Sequence, residues 1–199
     1  MQASRSASRV VVAAAFAVAL GSSGGCGSGS KTPELAYKRF AAAVKAGDGG
    51  ALYDSLDQKA RWAWMSVQKW HREAYDIVLS SYPEGTLRDS EKRRFETAAT
   101  ATSARELFRA EVAPGLWPTL RPMVASASDA KIEPGATDAE AWAVLPSGVR
   151  VPLGQGRGGW GFAGLDPQAE DQRNRAYHDL EVVRASAADY ERAAARAAK

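Results

Sequence analysis

The first part of the chain repeats its apolar residues at helical spacing. The repeat consists of Ala36, Phe40 and Val44, which lie four positions apart and share one helix face. Thr32 and Pro33 come directly before it and are typical of the N-cap and the first residue of a helix. The run AGDGG at 46–50 ends the pattern. The sequence therefore predicts a first helix that begins at Pro33.

A longer helix follows, and Asp57 is its predicted N-cap. Its apolar face is formed by Ala60, Trp64, Val67, His71, Tyr75 and Val78. We expect it to end at about Ser81, because Pro83 and Gly85 follow. Ser103 and Glu106 then have the spacing of a capping box and predict another helix. After it, we expect the prolines at 114, 118 and 122 to break the chain into short turns.

The pattern changes after Asp129, where four short apolar runs are separated by Gly, Pro, Ser and Asp. The runs are AKIEPG, AEAWAVLP, GVRVPLG and GGWGFAGL. Runs of this length with turn residues between them predict an antiparallel meander of three or four strands. One turn, GQGRGG, also matches the glycine spacing of dinucleotide-binding loops through Gly154, Gly156 and Gly159. Because a strand follows it and not a helix, we interpret it as a hairpin loop.

The last segment predicts one long helix from residue 167 to 199. Asp166 and Pro167 are its expected N-cap and first residue. Its apolar stripe consists of Tyr177, Leu180, Val183, Ala187 and Tyr190. A stripe of this kind would be an unexplained apolar surface in water, so we expect it to pack along its own domain or on a protein partner. The alternative is a mobile charged tail.

The N-terminus has the three parts of a secretory signal peptide. Arg5 and Arg9 precede the apolar run VVVAAAFAVAL at 10–20, and only small residues follow up to Cys26. Eleven helical residues span only about half of a ~30 Å hydrocarbon core, so a lasting transmembrane helix is disfavoured. We expect residues 1–25 to be removed.

The residues from Ser23 to Cys26 resemble the lipobox of bacterial lipoproteins, in which small residues precede an acylated cysteine. The family usually has an aliphatic residue where this chain has Ser23. The resemblance implies that Cys26 carries acyl chains such as palmitate, anchors the protein to a membrane, and is followed by a flexible linker over 26–31. Inner and outer membrane both remain open. The alternative is a secreted or periplasmic protein, cut after Ala17–Ala19, with a free cysteine.

Two segments of the domain at 32–166 are similar to the NTF2-like (cystatin-like cone) superfamily and its small bacterial lipoproteins. They are PELAYKRFAAAVKAGDGGALYDSLDQKAR near the start and VLPSGVRVPLGQGRGGWGFAGL near the end. The resemblance implies an α+β fold with N-terminal helices and a meander that forms a cone, here followed by a long C-terminal helix. It implies a binding or structural module in the cell envelope. The alternative is a small-molecule lyase, isomerase or hydrolase with its site in the cone.

Composition and charge limit the kinds of metal site, partner and catalytic group that we expect. With two His and one Cys, the chain cannot build a zinc site from these residues alone, and we expect no metal and no cofactor. Without residues 1–25, 24 Lys and Arg face 23 Asp and Glu, which gives no reason to expect nucleic acid as a partner. No nucleophile motif is present and no catalytic residue is assigned.

Four residues remain as candidates for a pocket: Trp64, His71, Trp142 and Trp160. The family resemblance implies that a His inside the cone can serve as a general base, which is one role for His71. The alternative for His71 is a hydrogen-bonded structural residue. The alternative for the tryptophans is the hydrophobic core.

Overall fold

A computed structural model describes residues 29–198. Cys26 and the predicted signal peptide lie outside them. The helices are α1 (Pro33–Ala46), α2 (Gly49–Ser55), α3 (Gln58–Ser81), α4 (Thr86–Thr100), α5 (Ala104–Leu107), α6 (Ala113–Leu120) and α7 (Asp166–Ala197). The strands are β1 (Lys131–Pro134), β2 (Glu140–Val144), β3 (Arg150–Gly156) and β4 (Gly159–Phe162). The chain is thus a mixed domain of helices with one sheet, as the sequence predicts.

The four strands form an open antiparallel sheet in the order β1-β2-β3-β4. Its inner face is fully covered and carries Ala141, Ala143, Val151, Leu153 and Phe162. Helix α1 packs on this face, where the Phe40 and Phe162 rings stack with centres 4.1 Å apart. Among the described residues, the space between sheet and α1 is therefore filled by core side chains.

The predicted starts of α1 and α3 are confirmed. The Thr32 side chain accepts a hydrogen bond from the backbone N–H of Leu35 at 3.4 Å. The Asp57 carboxylate accepts one from the N–H of Ala60 at 2.8 Å. Each cap satisfies an N–H group that has no partner inside its own helix.

The proline-rich segment differs from the prediction, because it is mostly helical. α5 continues through a π-helical turn (Phe108–Val112) into α6 and a 3₁₀ turn (Arg121–Val124). Pro114 and Pro122 lie in the first turn of their helices, where no intrahelical N–H bond is lost. Only Pro118 lies inside a helix. Prolines at these positions are compatible with short, tightly joined helices.

The predicted linker also ends earlier than residue 31. Ser30 donates its N–H to the carbonyl of Trp160 at 2.9 Å, and the N–H of Trp160 returns a bond to Ser30 at 2.8 Å. Ser30 therefore extends the free edge of β4 by one antiparallel bridge. A backbone that pairs with a sheet edge satisfies its polar groups and becomes part of the fold.

α7 packs on its own domain, beside α3 and α4. Lys59, near the start of α3, contacts Glu170, near the start of α7. Ser81, at the end of α3, contacts Glu191, near the end of α7, so the two helices run parallel. Their far halves and α4 enclose a second core of Ala74, Val78, Tyr82, Phe95, Leu180, Val183 and Ala187. We call this part, α4 together with α3 from Ala74 and α7 from Leu180, the helical arm.

The sequence allows a protein partner as an alternative to docking of α7 on its own domain. Such a partner would contact the exposed side of α7. Tyr177 and Val182 are its large exposed apolar residues. The Tyr177 ring is still in contact with Trp70, with ring centres 5.3 Å apart.

Within residues 29–198, no helix has both the length and the apolar character to cross a membrane.

Two adjacent valines of α7 test whether the helix is docked in solution. Val183 is 1% exposed in the second core, whereas Val182 is 47% exposed. We expect Val183→Ala to lower the free energy of unfolding by about 2 kcal/mol, because it leaves a cavity. Val182→Ala should change it by less than about 0.5 kcal/mol. Urea unfolding measures both, and equal small effects would mean that the helix is a free tail.

Candidate functional site

A cleft of about 1410 Å³ lies along the first half of α3. Its walls come from α3 between Gln58 and Lys69, the start of α5 at 103–105, β2 and β3 at 139–142 and 152–156, and Ala163, Asp166 and Arg173 around the start of α7. The cleft is thus built where two helices begin against the sheet. The combination of apolar walls with a few polar groups is typical of ligand-binding pockets.

Large apolar side chains are exposed in the cleft. Trp62 is 56% exposed and Met65 is 53% exposed, although both belong to a helix whose other face is core. Trp142 adds a half-buried ring from β2. The Arg150 guanidinium lies 4.9 Å from the centre of that ring and pairs with Glu133 at 3.3 Å. The cleft therefore offers flat apolar surface with one aromatic ring held in place by a cation.

Two carboxyl groups, Asp57 and Asp166, meet in the cleft. Asp57 is buried, and its N–H donates to the carbonyl of Phe162 at 3.0 Å, which attaches the start of α3 to β4. Asp166 follows a tight turn in which its N–H donates to Ala163 at 3.1 Å. The two carboxyl groups are close enough to interact. Two residues that are 109 positions apart in the sequence thus form one polar unit.

The environment of Asp166 favours its protonated form. The pKa of Asp166 is raised from 3.8 to about 7, first by burial and then by the hydrogen bonding and negative charge of Asp57. Lys59 opposes this shift. Among the described residues, Oδ1 of Asp166 is buried without a hydrogen-bond partner. The pair thus combines an acid that titrates near neutral pH with an acceptor oxygen that has no protein donor.

Three of the cations that line the cleft are paired with acids, while Lys69 and Glu140 add one charge of each sign. Lys59 lies 3.2 Å from Glu170, and Arg173 lies 3.4 Å from the same carboxylate. Arg105 bonds to Asp54 at 2.9 Å. These pairs are largely exposed, so each contributes little to stability. They leave the rim close to electrically neutral.

His71 lies outside the cleft, between α3, α4 and α7. Its Nε2 is 3.8 Å from the Asp179 carboxylate, and its ring packs on Phe95 at 5.4 Å. Burial lowers the pKa of His71; Asp179 and Glu111 oppose the shift, whereas Arg94 adds to it. Arg94 also binds Asp179. The structure therefore places His71 at a helix junction, away from the carboxyl pair.

Of the four pocket residues that the sequence suggests, the structure brings only Trp142 into the cleft. Trp64 is buried, with its ring edge-on to Phe108 at 5.5 Å. Trp160 lies in β4 and bonds to Ser30. The four side chains do not converge on one site.

Sequence reasoning identified Asp57 and Asp166 only as helix caps. Asp57 does cap α3, but α7 begins at Asp166 itself, and Leu165 takes the N-cap position without a side-chain bond. The Asp166 carboxyl turns to Asp57 instead. The available signal in the sequence is two acids, each at the start of a helix, and this signal does not indicate that they meet.

The described residues contain no group of three or more His, Cys, Asp or Glu side chains that could hold a metal ion. Comparisons with protein-family models, with curated proteins and with solved structures find no match for this chain.

The carboxyl pair predicts a pH dependence of stability. Between pH 3.8 and about 7 the folded protein holds a proton on Asp166 that the unfolded chain has released, so this group lowers the free energy of unfolding as pH rises. Asp166→Asn cannot titrate. We expect the free energy of unfolding of the wild type, relative to this variant, to fall by on the order of 1 kcal/mol between pH 5 and pH 8.

Urea unfolding at the two pH values measures this difference, and His71 cancels because both proteins contain it. Asp76→Asn is the control, since it removes an exposed carboxylate from the same helix α3. Its pH dependence should follow the wild type. If Asp166→Asn also does so, the two carboxyls do not share a proton.

Proposed function

We propose that this protein is a bacterial cell-envelope lipoprotein whose single NTF2-like module binds a small amphipathic ligand in the cleft beside α3. The observation that carries the binding role is the combination of exposed Trp62 and Met65 with the Asp57–Asp166 pair. Exposed apolar side chains beside a buried acceptor are unfavourable in free energy. Covering them with a ligand is therefore favourable.

The chemistry of the cleft defines the class of ligand. The rings of Trp62 and Trp142 favour a flat apolar or aromatic body. Asp57 and Asp166 line the cleft and offer hydrogen-bonding carboxyl groups, so the ligand carries a hydroxyl or amine donor. Because the rim is nearly neutral, a highly charged ligand such as a nucleotide or nucleic acid has no counter-charge here.

Two features support the NTF2-like assignment and the anchor. A helix lies across the inner face of an antiparallel meander, as the sequence resemblance implies for this superfamily. Cys26 follows a charged start, a short apolar run and small residues, as in lipoproteins. Two or more acyl chains on that cysteine give stable membrane attachment without a spanning helix.

The carboxyl pair favours a second candidate function, a small-molecule lyase, isomerase or hydrolase. An acid that titrates near pH 7 beside a second carboxyl is suited to general acid–base catalysis. Its site is then the cleft and not the inner face of the sheet, which is filled. Turnover of a cleft ligand that disappears in Asp166→Asn while binding persists would distinguish this function from binding alone.

The anchor is tested on the full chain in a bacterial host. We expect Cys26→Ala to move the protein from the membrane fraction to the soluble fraction, because no acyl chain can be attached. Mass spectrometry of the wild-type N-terminal peptide should show an acylated Cys26. Ser23→Leu is the matched control and should remain lipidated. An unmodified wild-type cysteine would contradict the anchor and favour the secreted or periplasmic alternative.

The cleft is tested with the fluorescent probe N-phenyl-1-naphthylamine, which has an aromatic body and one N–H donor. We expect Met65→Glu to weaken probe binding by about tenfold, equivalent to about 1.4 kcal/mol, because it places a charge on the apolar wall. Leu87→Glu is the matched control: Leu87 is also 53% exposed but lies on α4, outside the cleft. Equal loss in both variants, or none in Met65→Glu, would argue against the cleft.

A further inference from the structure

The distance between Cys26 and the folded domain is short. Ser30 is 6% exposed and is fixed to β4 by its two backbone bonds with Trp160. Four peptide units separate Cys26 from Ser30, and consecutive Cα atoms are 3.8 Å apart, so the two residues lie within about 15 Å of each other. A lipid on Cys26 would therefore hold this edge of the sheet close to the bilayer.

The polar headgroup layer occupies much of that distance. A bilayer of about 40–45 Å with a hydrocarbon core of about 30 Å has headgroup regions of about 5–8 Å on each side. An acylated cysteine lies at the boundary of the hydrocarbon, since its chains are inserted there. About 10 Å or less of chain then remains between the headgroups and the domain surface around Ser30.

Two exposed cations lie on the surface around Ser30. Lys31 follows it directly, and Arg157 lies in the tight turn between β3 and β4, where the chain at Gly29 packs against Gly158. Both cations are exposed, and neither has an ion-pair partner among the described residues. The segments 29–33 and 154–164 contain no Asp or Glu. Cations without partners are attracted to anionic lipid headgroups.

The far end of the helical arm is remote from the sheet at which α3 begins. The start of α3 packs on β3, where Gln58 touches Gly156, and α7 begins beside it. α3 then runs for 24 residues, or about 36 Å, away from this edge. The loop between α3 and α4 is thus the part of the arm farthest from the tether.

We propose that the surface formed by Gly29–Lys31 and the β3–β4 turn from Arg157 to Trp160 is the membrane-contacting face of the protein, bound to anionic phospholipid headgroups. This inference rests on the proposed anchor at Cys26. It adds an orientation: the tether edge lies on the bilayer, and the helical arm extends into the surrounding compartment.

The experiment uses the full mature protein in vesicles of equal parts phosphatidylethanolamine and phosphatidylglycerol. Mass spectrometry first establishes whether Cys26 is acylated. Hydrogen exchange is then compared with that of the same protein in detergent. We expect exchange in the peptide covering 154–160 to slow several-fold, and exchange in the α3–α4 loop at 82–86 to stay unchanged.

Charge reversal provides the matched pair of variants. Lys31→Glu with Arg157→Glu should remove the protection at 154–160, because the headgroups then repel this face. Lys92→Glu with Arg93→Glu changes the charge equally on α4 and should leave the protection intact. An acylated protein with no protection at 154–160, or with protection at 82–86, overturns the orientation alone. An unmodified Cys26 overturns the anchor and the orientation with it.

Discussion

The close approach of the segment Leu56–Gln58 to the glycine-rich strands β3 and β4 is the constraint on which the rest of the structure depends. A Cβ atom at Gly161 would lie 2.5 Å from the backbone nitrogen of Asp57, and one at Gly156 would lie 2.6 Å from the Gln58 side chain. Any larger residue would push the start of α3 away from the sheet. Two of the glycines that resemble a phosphate-binding loop in the sequence, Gly154 and Gly156, thus face the start of α3, whereas Gly159 packs against the backbone of Gly29 and Ser30.

This joint between α3 and the sheet determines where the polar chemistry lies. Because Asp57 is held against Phe162 by a backbone bond, its carboxyl is fixed beside the turn that starts α7. Asp166 comes directly out of that turn, so the two acids meet under partial burial. Separating two carboxylates from water is unfavourable, and retaining one proton reduces this cost. The raised pKa of Asp166 is therefore a consequence of packing at the joint.

Local patterns were enough to predict much of the fold. The capping side chains of Thr32 and Asp57 predict the starts of their helices, and the short apolar runs after Asp129, with turn residues between them, predict the strands. The candidate site could not be predicted in the same way, because Asp57 and Asp166 meet through tertiary contacts that no periodicity in the sequence encodes. Trp64 and His71 share a helical face in the sequence, yet one packs in the main core and the other at the arm junction. A single stripe on α3 serves two different cores.

The division of α3 between two cores also explains why the cleft opens outside the sheet. The inner face of the sheet is closed by α1, with Phe40 and Phe162 stacked and fully buried. The first half of α3 supplies Ala60 and Trp64 to that same core and turns its opposite side, with Trp62 and Met65, to the cleft. A ligand site inside the sheet would require these packed side chains to leave, at a cost of several kcal/mol. A site on the outer side needs no such rearrangement, and it adjoins the carboxyl pair that the joint has already assembled.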